Sequence, residues 1–307
     1  MIPAILEEHQ TSTTCPTDFN VFWDRTLAVA NEMPLNVSVE RNALRSTPEV
    51  DVFDVYYDSF GGVRIAGWYC LPVNRPDPLP GMLYVPGYIG EPSLPKDVAL
   101  QGYAAFGAAP RGKIRSNTQI NPGYPGLLTY NIVDRNTYGY RGFFIDAIRA
   151  FQFLLGRDEV DATRVGVQGS SQGGGLTLLI AALCPEVRAA SAGVPYLCGF
   201  KDSLALTKTY PYHEIQDYLN TYPDREEAVY DTLAYFDCIN FGPRITCPIL
   251  VNVGMQDNIC PPETGYAAYQ TIASADKAFY WYEGQGHDPG GATHIKIVDD
   301  FFAKHLQ

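Results

Sequence analysis

Gly166-Val-Gln-Gly-Ser-Ser-Gln-Gly-Gly174 is the stretch on which the fold of this chain turns. Arg164-Val165-Gly166-Val167 reads as a short buried strand leading into it, and Gly175-Leu-Thr-Leu-Leu-Ile-Ala-Ala-Leu183 reads as an apolar helix leading out. Between them Gly169-Ser170-Ser171-Gln172-Gly173 fits G-x-S-x-G with Ser171 at its centre. With 28 glycines in the chain the pentapeptide arises by chance easily; the strand before it and the helix after it are the context that gives it chemical meaning. A serine on a sharp strand-to-helix turn sits on a strained backbone with its hydroxyl exposed, and the helix aims its N-terminal amides at whatever forms there. Glycines are required where strand and helix nearly touch.

Outward from this turn the chain alternates strands and helices. Pro16 to Ala30 predicts a helix capped by Thr17 or Asp18, with Phe19, Phe22, Trp23 and Leu27 on one face. The runs 52–57 and 63–73 flank Ser59-Phe-Gly-Gly62 and predict a β-hairpin. A proline-rich linker from Asn74 to Pro80 precedes a buried strand, Met82–Val85, which ends in Pro86-Gly87-Tyr88. A second buried strand, Tyr103–Ala109, ends in Pro110-Arg111-Gly112-Lys113, and a polar loop runs on to about Tyr138. Helix 140–155, strand 189–195, strand 249–253, helix 263–273, strand 278–282 and helix 293–305 follow. This rhythm predicts an α/β fold with a mostly parallel central sheet covered by helices on both faces. The segment 196–243 breaks the rhythm, being helical, charged and rich in tyrosine, and reads as an inserted cap within one domain spanning 1–307.

Ligands bind such sheets at the carboxyl ends of the strands. On this kind of scaffold the serine is followed in the chain by an acid and then a histidine. Asp257 lies just past strand 249–253, and His287 lies in the glycine-rich loop 284–291 after the last strand. A carboxylate there fixes the imidazole tautomer, and the imidazole takes the Ser171 proton. An Asx turn is the plain alternative for Asp257. His294 and His305 fall on the last helix and His213 in the cap, where surface roles suffice. The N–H of Gln172, next to the serine, and that of Tyr88 are the expected oxyanion donors. The cap tyrosines with Tyr88 suit an aromatic-walled pocket, although aromatics so spaced more often pack a core.

Composition narrows the field. Lys plus Arg minus Asp plus Glu is 22 − 34 = −12, with no basic run, which argues against nucleic acid and anionic membrane as partners. Seven cysteines include no CxxC pair and leave one over, so neither a zinc site nor a disulfide framework is expected. The N-terminus has no basic-then-apolar leader pattern, and no apolar run is long enough to span a membrane, so a reduced, cytoplasmic protein is expected.

The assembled motifs resemble the acetyl xylan esterase and cephalosporin C deacetylase family, carbohydrate esterase family seven. They are Pro16…Trp23, Gly87-Tyr88, Arg111-Gly112, Asp134…Thr137-Tyr-x-Tyr-Arg141, Gly169-x-Ser171-Gln-Gly-Gly-Gly175, Val194…Cys198, Thr232…Asp237, Asp257…Pro262 and Gly286-His287. The resemblance implies an α/β-hydrolase fold, a triad of Ser171, His287 and Asp257, and an oxyanion hole at Tyr88 and Gln172. It implies deacetylation of small acetylated sugars and related acetyl esters by a hexamer that needs neither cofactor nor metal. It further implies that Arg111 and Asp288 brace the loop carrying His287. Two positions depart from the family pattern: Lys113 stands where it has Gln, and Asp288 where it has Glu. An esterase for larger acyl or aromatic esters and a serine peptidase of the same fold are the rival expectations; turnover of a peptide anilide faster than acetyl esters would mark the latter.

Overall fold

The computed structural model describes residues 2–76 and 78–307; Met1 and Asp77, the latter in the expected linker 74–80, lie outside the described residues. The elements in order are α1 (Ala4–Glu8), α2 (Phe19–Asn31), β1 (Ser38–Arg41), β2 (Val50–Ser59), β3 (Val63–Pro72), β4 (Leu79–Val85), α3 (Lys96–Leu100), β5 (Ala104–Ala109), α4 (Gly139–Leu155) and β6 (Val160–Ser170). They continue with α5 (Gln172–Leu183), β7 (Val187–Gly193), α6 (Phe200–Leu206), α7 (His213–Thr221), α8 (Glu226–Leu233), β8 (Ile249–Gly254), α9 (Pro262–Thr271), β9 (Lys277–Tyr282) and α10 (Gly291–Leu306).

The strands form one sheet ordered β1-β2-β3-β5-β4-β6-β7-β8-β9. β1, β2 and β3 run as an antiparallel meander that joins β5 antiparallel, and the remaining pairs are parallel. Side-chain alternation explains the two faces. Leu79, Leu83 and Val85 of β4 enter the large core with α2, α4, α5 and α9, while Met82 and Tyr84 point to the smaller cluster under Val298, Phe302 and Leu306 of α10. The inner strands β4, β5, β7 and β8 are mostly buried on both sides, which is why their sequences read as apolar runs rather than alternating ones.

The expected hairpin is present, with β2 and β3 paired antiparallel across a 3-10 turn at Phe60–Gly62. β1, α1 and α3 carry too few residues to show a period, and the sequence did not reveal them. One local expectation needs correcting. At the start of α2 neither Thr17 nor Asp18 caps the helix with its side chain; the Phe19 N–H donates to the Pro16 carbonyl instead, at 3.1 Å. That frees the Asp18 carboxylate for the Tyr235 hydroxyl and Arg135.

Arg111 shows how the sheet edge is held. It follows β5 directly and grips Asp146 of α4, with Nε 2.7 Å from Oδ2, Nη2 2.8 Å from Oδ1, and the Arg111 N–H donating to Oδ2 at 2.9 Å. The Asp146 side chain is fully buried and that of Arg111 is 7 % exposed. Removing one member of a buried pair strands the other charge without compensation. Asp146→Ala is therefore expected to lower unfolding free energy by about 3–5 kcal/mol, read as a reduced urea midpoint; a loss below 1 kcal/mol would contradict this account.

Candidate active site

β6 ends at Ser170 and α5 begins at Gln172, so Ser171 is the whole of the turn between them. Its backbone sits at φ +60°, ψ −122°, a conformation that costs a non-glycine residue on the order of 1–3 kcal/mol. Three bonds hold it there: the Ser171 N–H donates to Gly193 O, and Ser171 O accepts from the N–H groups of Gly175 and Tyr196. The neighbouring glycines answer to close approach. A Cβ on Gly169 would stand 2.5 Å from the Gly173 carbonyl, and one on Gly173 would stand 2.3 Å from Val85 O. Bare backbone lets α5 press against the ends of β6 and β4, which brings the loop after β4 beside Ser171.

The loops after β8 and β9 bring the acid and the histidine together. Asp257 Oδ2 lies 2.8 Å from His287 Nδ1. Asp257 Oδ1 accepts the N–H groups of Ile259 (2.8 Å) and Cys260 (3.0 Å). The Asx turn offered as the plain alternative is thus present on one oxygen, and the histidine contact occupies the other. The Asp257 side chain is fully buried and that of His287 is 24 % exposed, which leaves the imidazole open to a substrate. Among the described residues no hydrogen bond joins Ser171 to His287; the described neighbour of Ser171 Oγ is the Cys260 thiol, at 4.0 Å. Ligand atoms of Asp257, Cys260 and His287 all fall within 4.8 Å of one another. Those three could hold a metal ion by position, but burial pushes the thiol well above its usual pKa and keeps it protonated. A protonated thiol is a poor ligand, and one Asp257 oxygen is engaged by His287.

Pro86-Gly87-Tyr88 lies against the turn: the Gln172 side-chain amide donates to Gly87 O at 3.4 Å, and Tyr140 OH donates to Gln172 Oε1 at 2.7 Å. The N–H groups of Tyr88 and Gln172 donate to no acceptor among the described residues, so both are free for an oxyanion. The Tyr88 hydroxyl donates to Glu214 Oε1 at 2.6 Å and accepts the Leu128 N–H at 3.1 Å; Glu214 Oε2 accepts the Gly126 N–H. Burial raises the pKa of Glu214 above the ordinary carboxylate range, partly offset by these donors. Tyr88 also stands edge-on to Tyr124 and Tyr196, and Tyr196 to Tyr212. Tyr196 and Tyr212 are fully buried, so they pack beneath Tyr88 and are not pocket walls.

Arg111 and Asp288 do not meet. Arg111 is spent on Asp146, and the exposed Asp288 has no hydrogen bond or ion pair among the described residues. The expected brace of the histidine loop is absent because α4 carries a carboxylate directly under the end of β5. Asp288 lines instead an open cavity of about 460 Å³, with Gly87, Ser170, Asn252 and His294, on the α10 side of the turn. The other histidines are engaged elsewhere. His294 Nδ1 is 2.9 Å from Tyr282 OH, and His213 and His305 approach Asp217 and Asp276. Glu214 escaped sequence reasoning because nothing local marks it. Cys260 carried a visible signal, its place three residues after Asp257.

The profile of the acetyl xylan esterase (AXE1) family matches residues 4–305. The chain is 31 % identical over 280 residues to the acetyl esterase Axe7A of Xylanibacter ruminicola, covering 85 % of this chain and 61 % of that protein's length. Its structure superposes on an acetyl xylan esterase from Paenibacillus sp. R4 with a TM-score of 0.91 at 34 % identity, covering all of both chains. It superposes on acetyl xylan esterase 1 from Thermoanaerobacterium sp. JW/SL YS485 with a TM-score of 0.90 at 27 % identity, covering 100 % of this chain and 99 % of that one. With its α/β-hydrolase sheet and a match over almost its whole length, this chain belongs to the acetyl xylan esterase (AXE1) family, a family of carboxylic ester hydrolases.

Proposed function

We propose that this chain is a serine carboxylesterase that removes acetyl groups from small acetylated carbohydrates, xylo-oligosaccharides first among them, through an acyl-enzyme on Ser171. The observation that carries the proposal is the 2.8 Å contact between Asp257 Oδ2 and His287 Nδ1, on the loops that flank the strained Ser171. His287 takes the Ser171 proton as Oγ attacks the acetyl carbonyl, and Asp257 stabilises the imidazolium. The oxyanion is received by the N–H groups of Tyr88 and Gln172. The C–O bond to the sugar breaks as His287 returns the proton to the leaving alcohol, and water then releases acetate by the same steps in reverse order. The names of the similar proteins support acetyl esters as the substrate class.

The reading extends to acetyl esters such as cephalosporin C and to a homohexamer, both resting on the family resemblance, and to a cytoplasmic location. Seven cysteines, all free, support a reducing compartment; among the described residues no helix is long and apolar enough to cross a membrane. Segment 196–243 acts as a cap within a single domain, a reading supported by Glu214 of α7 gripping the hydroxyl of Tyr88.

Rates on acetylated xylo-oligosaccharides, cephalosporin C, a peptide anilide and 4-nitrophenyl esters of rising acyl length test the proposal. The acetyl esters should lead, with kcat/KM falling by about 10-fold or more from acetyl to butyryl. A lead for butyryl or longer esters, or for the anilide, would overturn it.

A further inference from the structure

Lys113 is 0 % exposed, yet no carboxylate lies within ion-pair distance of it among the described residues. Its ammonium donates instead to two backbone carbonyls of the loop after β4, Gly87 O at 2.7 Å and Tyr88 O, and it stands 5.2 Å from the centre of the Tyr124 ring. Its own backbone is fixed by a turn: the Lys113 N–H donates to Pro110 O, and Lys113 O accepts from Ser116 N–H. A buried cation without an anion is costly, and a methionine or leucine would fill the same space without that cost. The placement therefore calls for a role.

We propose that Lys113 is a positioning residue for the oxyanion hole, its ammonium fixing and polarising the Gly87–Tyr88 peptide whose N–H receives the oxyanion. The proposal rests on the serine-esterase reading above. Gly87 C=O and Tyr88 N–H belong to one peptide unit, which is planar and trans, so the two groups point in opposite directions. Holding the carbonyl oxygen thus sets the direction of the N–H. A cation on that oxygen also draws electron density away from the nitrogen and strengthens the N–H as a donor, in the way hydrogen bonds reinforce one another along a chain. The Gln172 side chain adds a second donor to the same oxygen. The two expected oxyanion donors are thereby tied together through Gly87 O, with Lys113 as the charged member.

The charge of Lys113 is titratable in a useful range. Burial pushes its pKa down to about 7, opposed by the attraction of Glu91. The groups that face it are Glu91 from the loop before α3, Tyr124 from the loop before α4, and Tyr88, with Glu214 of α7 reached through the Tyr88 hydroxyl. Tyr88 and Tyr124 are pushed upward by burial and stay neutral there. As pH rises through 7 the ammonium loses its proton, the pull on Gly87 O weakens, and kcat declines to a lower plateau.

The test uses the full chain with Lys113→Gln, which keeps a donor but removes the charge, and Lys113→Met, which removes both. Labelling of Ser171 by a fluorophosphonate in the wild type checks the underlying reading: an unlabelled Ser171 sinks the serine-esterase proposal itself. With Ser171 labelled, kcat on 4-nitrophenyl acetate should fall about 10-fold in K113Q and about 100-fold in K113M, with KM changed less than about threefold. The wild-type kcat should step down with pH around neutrality, and K113Q should lack that step; Glu214→Gln should retain it, which separates Lys113 from its carboxylate neighbour. A folded K113Q with wild-type kcat overturns the inference. So does a wild-type kcat with no decline between pH 6 and 9, a result that stands even if neither variant folds.

Discussion

Ser171→Ala should lower kcat on acetyl esters by about 10⁴- to 10⁶-fold, as expected when the nucleophile of a triad is lost. The same variant should unfold at nearly the wild-type temperature. Among the described residues the hydrogen-bond partner of Ser171 Oγ is the Cys260 thiol, at 4.0 Å, so deleting the hydroxyl breaks no strong bond, and alanine keeps the backbone bonds to Gly193, Gly175 and Tyr196. Cys260 offers no rescue, because burial holds its thiol in the protonated, poorly nucleophilic form. Steady-state kinetics with a thermal melt decide the matter. Activity within tenfold of wild type would remove Ser171 from the mechanism.

Asp257→Asn should cost about 10⁴-fold in kcat while leaving the fold in place. The two oxygens of Asp257 have separate duties, which makes this substitution informative. Oδ1 receives the N–H groups of Ile259 and Cys260 and closes the turn after β8; Oδ2 faces His287 Nδ1. An asparagine keeps its oxygen for the turn and presents an N–H to the imidazole. His287 must then accept at Nδ1 and carry its proton on Nε2, which makes it unable to take one from Ser171. Asp257→Ala should lose both duties and be destabilised as well, since the buried Cys260 N–H loses its acceptor at about 1–3 kcal/mol and the part-buried Ile259 N–H loses its own. The comparison reads kcat beside the urea midpoint. An Asp257→Asn enzyme with more than a tenth of wild-type kcat would show that Asp257 serves only the turn.

The parallel strands and their helices were legible because apolar runs bounded by Gly and Pro carry their own signal, even at the four residues of Met82–Val85. β1, α1 and α3 mix charged and apolar residues over four or five positions and carry none. The expected cap on α2 failed for a related reason: Asp18 has the right type and place, but a tyrosine 217 residues later competes for its carboxylate.

Ser171 and its setting were local matters. The residues that make the turn, the glycines that permit contact and the helix that follows lie within a dozen positions, so their chemistry could be read in order along the chain. So could the Ser-Asp-His sequence at successive strand ends. The partners of Arg111 and Lys113 could not. Arg111 holds Asp146, 35 residues away, rather than Asp288, and Lys113 holds Gly87 and Tyr88, 26 and 25 residues back. Both pairings follow from sheet order: β4 and β5 are parallel neighbours, so the loops at their carboxyl ends lie side by side, with α4 packed beneath. Residue type supplied the charges; only the packing of strand beside strand decided which oxygens would meet them.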